Sequence, residues 1–234
     1  MNGWSNAAYK LESAISVDGK NLNKDAAARE KMKRAIVKYG AVTFSYNNVR
    51  EAYYYNPSEE SGSSPHACTI IGWDDTIPAE NFYPSKTTTD GGWLVKNSYS
   101  SLPYFYLSYE VTCEQIYAFD YVMNDKYDNN YFYDASATDS GIGSLLKIKQ
   151  AANVFKVKGD TENEWIKAVG VGIVGENTDC TVEVYSDVQD GSFNPQNAKL
   201  ETTKTVYLEY GGFNCIELDK PVEVKKWQYI CSCC

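Results

Sequence analysis

Two stretches, His66–Asp75 (HACTIIGWDD) and Gly91–Ser100 (GGWLVKNSYS), decide how this chain is read. Each carries a short apolar, β-branched run, and residues 76–90 between them are polar and proline-containing, so the pair predicts two antiparallel strands joined by an insert. His66 enters the first strand and Asn97 leaves the second, which places an amide beside an imidazole. His66 is the only histidine in 234 residues, and a lone imidazole between strands is more often structural than catalytic. The asparagine changes that balance. An amide oxygen that accepts from one ring nitrogen fixes the tautomer and leaves the other nitrogen to take a proton from a nucleophile. This is the base and orienter of a catalytic triad.

Over residues ~30 to 123 these motifs resemble the C-terminal half of a papain-like cysteine peptidase, of the bacterial branch that carries a lectin-like β domain after the peptidase. The resemblance implies that His66 is the general base and acid and that Asn97 orients it. It also places Ser45 and Ala67 in the pocket for the substrate's second residue; the alternative is two small side chains packed at a strand crossing. The sequence departs from the family pattern in two respects. Tyr99 and Ser100 stand where the family has a tryptophan and a glycine, the indole shielding the histidine–asparagine bond. No cysteine precedes Cys68, whereas the family's nucleophile opens a helix far upstream of the histidine, after an oxyanion glutamine.

Composition narrows the functions. A formal charge of -9 argues against binding a phosphate backbone, so nucleic acid is not an expected partner. Twenty tyrosines and five tryptophans exceed what a core needs, and exposed rings stack on sugars or line peptide grooves. No run approaches the roughly 20 apolar residues of a membrane span, and MNGWSNAAYK lacks the order of a signal peptide. The family resemblance implies a secreted or cell-surface protein, and with it an upstream segment that carries the signal and the catalytic cysteine. The seven cysteines show no zinc-like spacing, and no metal or other cofactor is expected. Cys180 and Cys215 read as buried thiols rather than a bridge.

Along the chain, a helix is predicted from Asp25 to Tyr39, with Ala28, Met32, Ala35, Ile36 and Tyr39 as its buried face and Lys31, Lys33, Arg34 and Lys38 as solvated charges; Gly40 stops it. GAVTFSYNN reads as the first barrel strand, and EAYYYNPSEESGSSP as a polar loop. In the histidine strand, alternation sets His66, Cys68 and Ile70 on one face. Cys68 lies roughly 6 to 7 Å along the strand from His66 and lacks a helix N-terminus, so it reads as core rather than nucleophile. Asp74 and Asp75 read as a turn rather than a metal site. The insert through Gly91 is a surface loop, followed by a strand over PYFYLSYEV.

A polar, tyrosine-dotted stretch near residues 124–150 marks a boundary between domains 1–123 and 124–234. Beyond it, strand-like runs at 151–158, 165–174, 179–187, 203–210, 213–218 and 222–230 predict a β-sandwich, and KKWQYICSCC an interrupted closing strand. The expected fold class is therefore α+β: a papain-like C-terminal antiparallel β-barrel subdomain with one flanking helix, then an all-β, lectin-like sandwich. The expected activity is cysteine-type peptide hydrolysis on a peptide or protein substrate, with carbohydrate as a partner of the β domain. The chain alone is expected to be inactive for want of a nucleophile. The alternative is a non-catalytic, peptidase-like module that binds glycans at a cell surface.

Overall fold

A computed structural model describes residues 7–19, 21–47, 53–56, 65–84, 86–133, 150–159, 161–189 and 193–233. The chain divides into two compact units, Ala14–Asp120 and Tyr121–Cys234, the latter joined by the N-terminal segment as far as Ser13. The first strand, β1 (Tyr9–Ser16), runs across that division.

The first unit begins its regular structure with α1 (Ala26–Tyr39), whose ends follow from local chemistry. Asp25 Oδ1 accepts the Ala27 N–H at 2.8 Å, and Gly40, at φ 81°, closes the last turn by donating to the Ile36 carbonyl. Met32, Ala35 and Ile36 are buried as the periodicity requires. Lys33 is a correction to the helix reading. It lies buried, not solvated, with its ammonium 2.8 Å from Asp75 Oδ1 and within 6 Å of the ring centroids of Trp73 and Tyr109. Burial alone would disfavour the charge; the hydrogen bonds that Lys33 donates to Asp75 and Glu30 outweigh it and raise the Lys33 pKa.

After the helix come β2 (Val42–Asn47), β3 (Tyr54–Asn56), β4 (Pro65–Asp74), β5 (Tyr83–Pro84), β6 (Gly92–Lys96), β7 (Tyr104–Ser108) and β8 (Glu114–Met123). Their order in the sheet is β8-β2-β4-β6-β7-β3-β5. The register sets Val42 opposite Ile70, Ile70 opposite Val95, and Val95 opposite Phe105, so one buried row crosses four strands. Phe44 with Cys68, and Trp93 with Leu107, make parallel rows on the same face. His66, opposite Tyr46, stands at the end of that face.

The α+β expectation with a closed barrel is overturned. The described residues are mostly strand with a single α-helix, and the sheet of the first unit stays open. The cause lies in two segments read as loops. Tyr54–Asn56 adds a parallel strand to the edge of β7, and Tyr83–Pro84 adds a parallel strand to β3, so the sheet grows outward instead of returning to its first strand. Tyr55 and Asn56 are buried there, while residues 57–64 lie outside the described residues. The insert after β4 is likewise more than surface, since Ile77, Phe82 and Thr87 are buried. Phe82 packs over Gly92, where a Cβ would come within 2.9 Å of its ring and 2.8 Å of the Leu107 carbonyl oxygen.

In the second unit, β10 (Asn163–Ile173) pairs antiparallel with β13 (Gly211–Lys225), and a four-stranded sheet has the order β12-β11-β14-β9, comprising β9 (Ala152–Lys156), β11 (Thr178–Ser186), β12 (Lys199–Leu208) and β14 (Tyr229–Cys233). Alternate residues of β10 and β13 (Val169, Val171, Ile216, Leu218, Val222, Val224) meet Cys180, Val182 and Val184 of β11 in one core, an all-β packing. The runs 213–218 and 222–230 are not two strands. β13 runs through the first and into the second as far as Lys225, with Ala168 opposite Glu217 and Ile166 opposite Val222, so residues 218–221 bulge past Lys167. Pro221 sits in that bulge, where no ladder N–H is needed. The closing segment is the inner strand β14, between β11 and β9. Cys180 is buried and Cys215 half-buried. Residues 134–149, within the expected boundary stretch, lie outside the described residues.

Candidate functional site

The β4–β6 register, Thr69 opposite Lys96, carries Asn97 to the end of the core face where His66 stands. His66 Nε2 lies 2.9 Å from Asn97 Oδ1. The same oxygen accepts the Ser98 N–H at 2.8 Å and faces Cys68 Sγ at 3.6 Å. An atom that already accepts a backbone N–H is an oxygen, so the ring nitrogen facing it is the donor, and Nε2 carries the proton of the neutral imidazole. Nδ1 is then the nitrogen that exchanges protons. The Asn97 backbone is fixed as well, its N–H donating to the Pro103 carbonyl at 2.8 Å.

Two aromatic rings hold the imidazole. Tyr99 stacks on it, with ring centroids 4.9 Å apart and planes at 17°, and Tyr46 meets it edge-on at 5.8 Å. Tyr99 thus covers the histidine face in a position where its own ring stays 41 % exposed. Burial raises the Tyr46 phenol pKa and keeps it neutral. Burial also pushes the Cys68 thiol up to about 11, against a smaller lowering by the Ser98 N–H. A thiol held in its protonated form is a donor and a poor nucleophile, so Cys68 serves the asparagine rather than the substrate. The strand alternation set Cys68 beside His66 on one face but could not show its contact with Asn97.

Ser45 and Ala67 are opposite one another across β2 and β4, on the face that alternates away from His66 and Cys68. Ser45 Oγ donates to the Glu114 carbonyl at 3.2 Å. Asp74 and Asp75 diverge. Asp74 Oδ1 accepts both the N–H and the hydroxyl of Thr76 and so makes the turn. Asp75 accepts from Lys33 and from the Tyr109 hydroxyl at 2.8 Å, tying α1 to the end of β4. That anchor had no sequence signal, because Lys33 and Asp75 are far apart in the chain. Among the described residues no helix is long and apolar enough to cross a membrane.

Residues 131–231 match the lectin-like domain family. Two solved structures then match nearly the whole chain. Both are of Cwp84, described in one case as a clostridial cysteine protease after propeptide cleavage and in the other as the cysteine protease and lectin-like domains of a surface layer associated protein of Clostridium difficile. Each aligns at a TM-score of 0.71 and 20 % identity, over 96 % and 97 % of this chain and 55 % and 49 % of the respective structure. The chain is thus similar in fold to a protease followed by a lectin-like module, and spans about half of each matched structure. No curated protein sequence matches it.

Proposed function

We propose that residues 14–120 supply the base and orienter of a cysteine-type peptidase, and that the lectin-like unit engages carbohydrate at a cell surface. The observation that carries the first part is the His66 Nε2–Asn97 Oδ1 bond of 2.9 Å beneath the stacked Tyr99 ring. With Nε2 committed, His66 Nδ1 would take the proton of a cysteine thiol, and the resulting thiolate would attack a peptide carbonyl. The imidazolium would then protonate the leaving amine, and the neutral ring would activate the water that hydrolyses the acyl-enzyme. Cys68 and Cys113 are buried and held protonated, so in this reading neither is the nucleophile, which another segment would supply. Ser45 and Ala67 would contact the substrate next to the histidine strand. The likeness to Cwp84 supports this reading, and its surface-layer association supports the cell-surface location.

The test is reconstitution: the chain fused behind a segment that carries the glutamine and cysteine-bearing helix, assayed for peptide hydrolysis. His66→Ala should abolish turnover, and Asn97→Ala should lower kcat by about 10- to 100-fold with little change in KM. Unchanged turnover in the His66 variant would sink the assignment. The second reading, a glycan-binding module without catalysis, is favoured by the lectin-like match over residues 131–231, and would stand if the reconstituted protein bound glycans but cleaved nothing.

A further inference from the structure

The turn between β13 and β14 holds a tryptophan in a backbone conformation that tryptophan disfavours. Trp227 has φ 69°, in the left-handed region where a bulky residue is a genuine outlier and asparagine or glycine sits without strain. Its neighbours over-determine the turn. Trp227 N–H donates to the Val157 carbonyl at 2.9 Å, Gln228 N–H to the Lys225 carbonyl at 3.0 Å, Lys225 N–H to Gln228 Oε1 at 2.9 Å, and Gln228 Nε2 to Asp187 Oδ1 at 3.0 Å. The indole gains no core packing in return, for it is 59 % exposed.

What the indole does meet is positive charge. Lys156 Nζ lies 5.4 Å and Lys226 Nζ 5.5 Å from the Trp227 ring centroid, and Lys156 lies 5.4 Å from the ring of Tyr229 as well. Neither lysine forms a salt bridge among the described residues, although the chain carries a net charge of -9. Two unpaired ammonium groups against an exposed aromatic face match a ligand that offers an apolar C–H face and carboxylates together. A uronate residue of a polysaccharide has both, and the adjoining Tyr229 ring offers a place for a second sugar.

We propose that this turn is a binding site for an anionic polysaccharide, with the Trp227 indole as stacking platform and Lys156 and Lys226 as the groups that take its carboxylates. The proposal rests on the carbohydrate part of the function proposed above and names its ligand class and location. Isothermal titration of the full chain with polygalacturonate, and with dextran as neutral control, tests it. The wild type should bind polygalacturonate saturably and dextran not at all. Trp227→Asn, which relieves the backbone, should melt at the same or a higher temperature yet bind about tenfold or more weakly. Lys156→Gln with Lys226→Gln should weaken binding as much, and added salt should weaken the wild type. Binding of polygalacturonate unaltered in Trp227→Asn would overturn the location, and a lower melting temperature in that variant would assign the ring to structure instead. Dextran binding would overturn the charge argument while sustaining carbohydrate recognition, and titration of neither polymer would overturn both.

Discussion

Asn97 Oδ1 is the atom through which most of the site is organised, because three donors converge on it from His66, Cys68 and Ser98. The thiol is the weakest of them, so Cys68→Ala should shift the His66 tautomer balance by only a few-fold, whereas Asn97→Ala should release it altogether. The same thiol gives a pH dependence. Its pKa rises on folding to about 11, so between the ordinary thiol range and that value the folded state holds a proton that the unfolded state has lost. Stability therefore falls as pH rises through about 9 to 11. Alkylation of Cys68 by iodoacetamide should stay slow at pH 9 in the folded chain; fast labelling there would show that the thiol is not held by the asparagine. His66 and Asn97 were legible in the sequence because each ends a strand of recognisable pattern, whereas the register that brings Cys68 within reach of the amide depends on pairing across 29 residues.

At the scale of elements, α1 is anchored through one buried lysine. Asp75→Ala removes the acceptor of Lys33 and of the Tyr109 hydroxyl and leaves Lys33 with Glu30 alone, which should cost about 2 kcal/mol in urea unfolding. A Lys33→Met change keeps the packing and should cost less. The pH sign differs from that of the thiol. Burial alone would raise the Asp75 pKa, but Lys33 and Tyr109 outweigh it and the net shift is downward. Its contribution is thus present above the usual carboxylate range and fades as pH falls through its lowered folded value. Gly92→Ala should also destabilise, by about 1 to 3 kcal/mol, because the Leu107 carbonyl is backbone and cannot yield as a flexible side chain would. A neutral effect would mean that Phe82 does not pack over β6. The helix was readable from Asp25 to Gly40 because caps and period are local. Lys33 looked solvated because its partners, Trp73, Asp75 and Tyr109, come from elements that local periodicity does not connect. The parallel strands β3 and β5 escaped notice for the same reason: segments of three and two residues acquire strand pairing only beside β7 and β3 respectively.

For the whole molecule, the N-terminal segment is counted with the second unit, and its contacts there are specific. Glu12 takes Lys126 and the Tyr127 hydroxyl, and Ser13 Oγ accepts the Cys215 N–H at 3.0 Å. Deleting residues 1–13 should therefore lower the melting temperature of the β unit, with a cost of about 2 to 4 kcal/mol from the partners left behind. An unchanged transition would show that the segment is dispensable. A contact across 202 residues leaves no trace in local sequence, which is why the chain's first strand gave no sign of where it belongs. The β unit itself was legible from alternation and turn residues, except that residues 211–225 form one strand with Pro221 in a bulge rather than two separate runs.

The most direct test of the account is the long-range ¹H–¹⁵N spectrum of the imidazole, which is unambiguous because His66 is the only histidine. For the neutral ring, the account requires Nε2 to carry the proton in the wild type, and Asn97→Ala to bring in the Nδ1–H tautomer. A wild-type ring protonated on Nδ1, or a spectrum unmoved by Asn97→Ala, would contradict it.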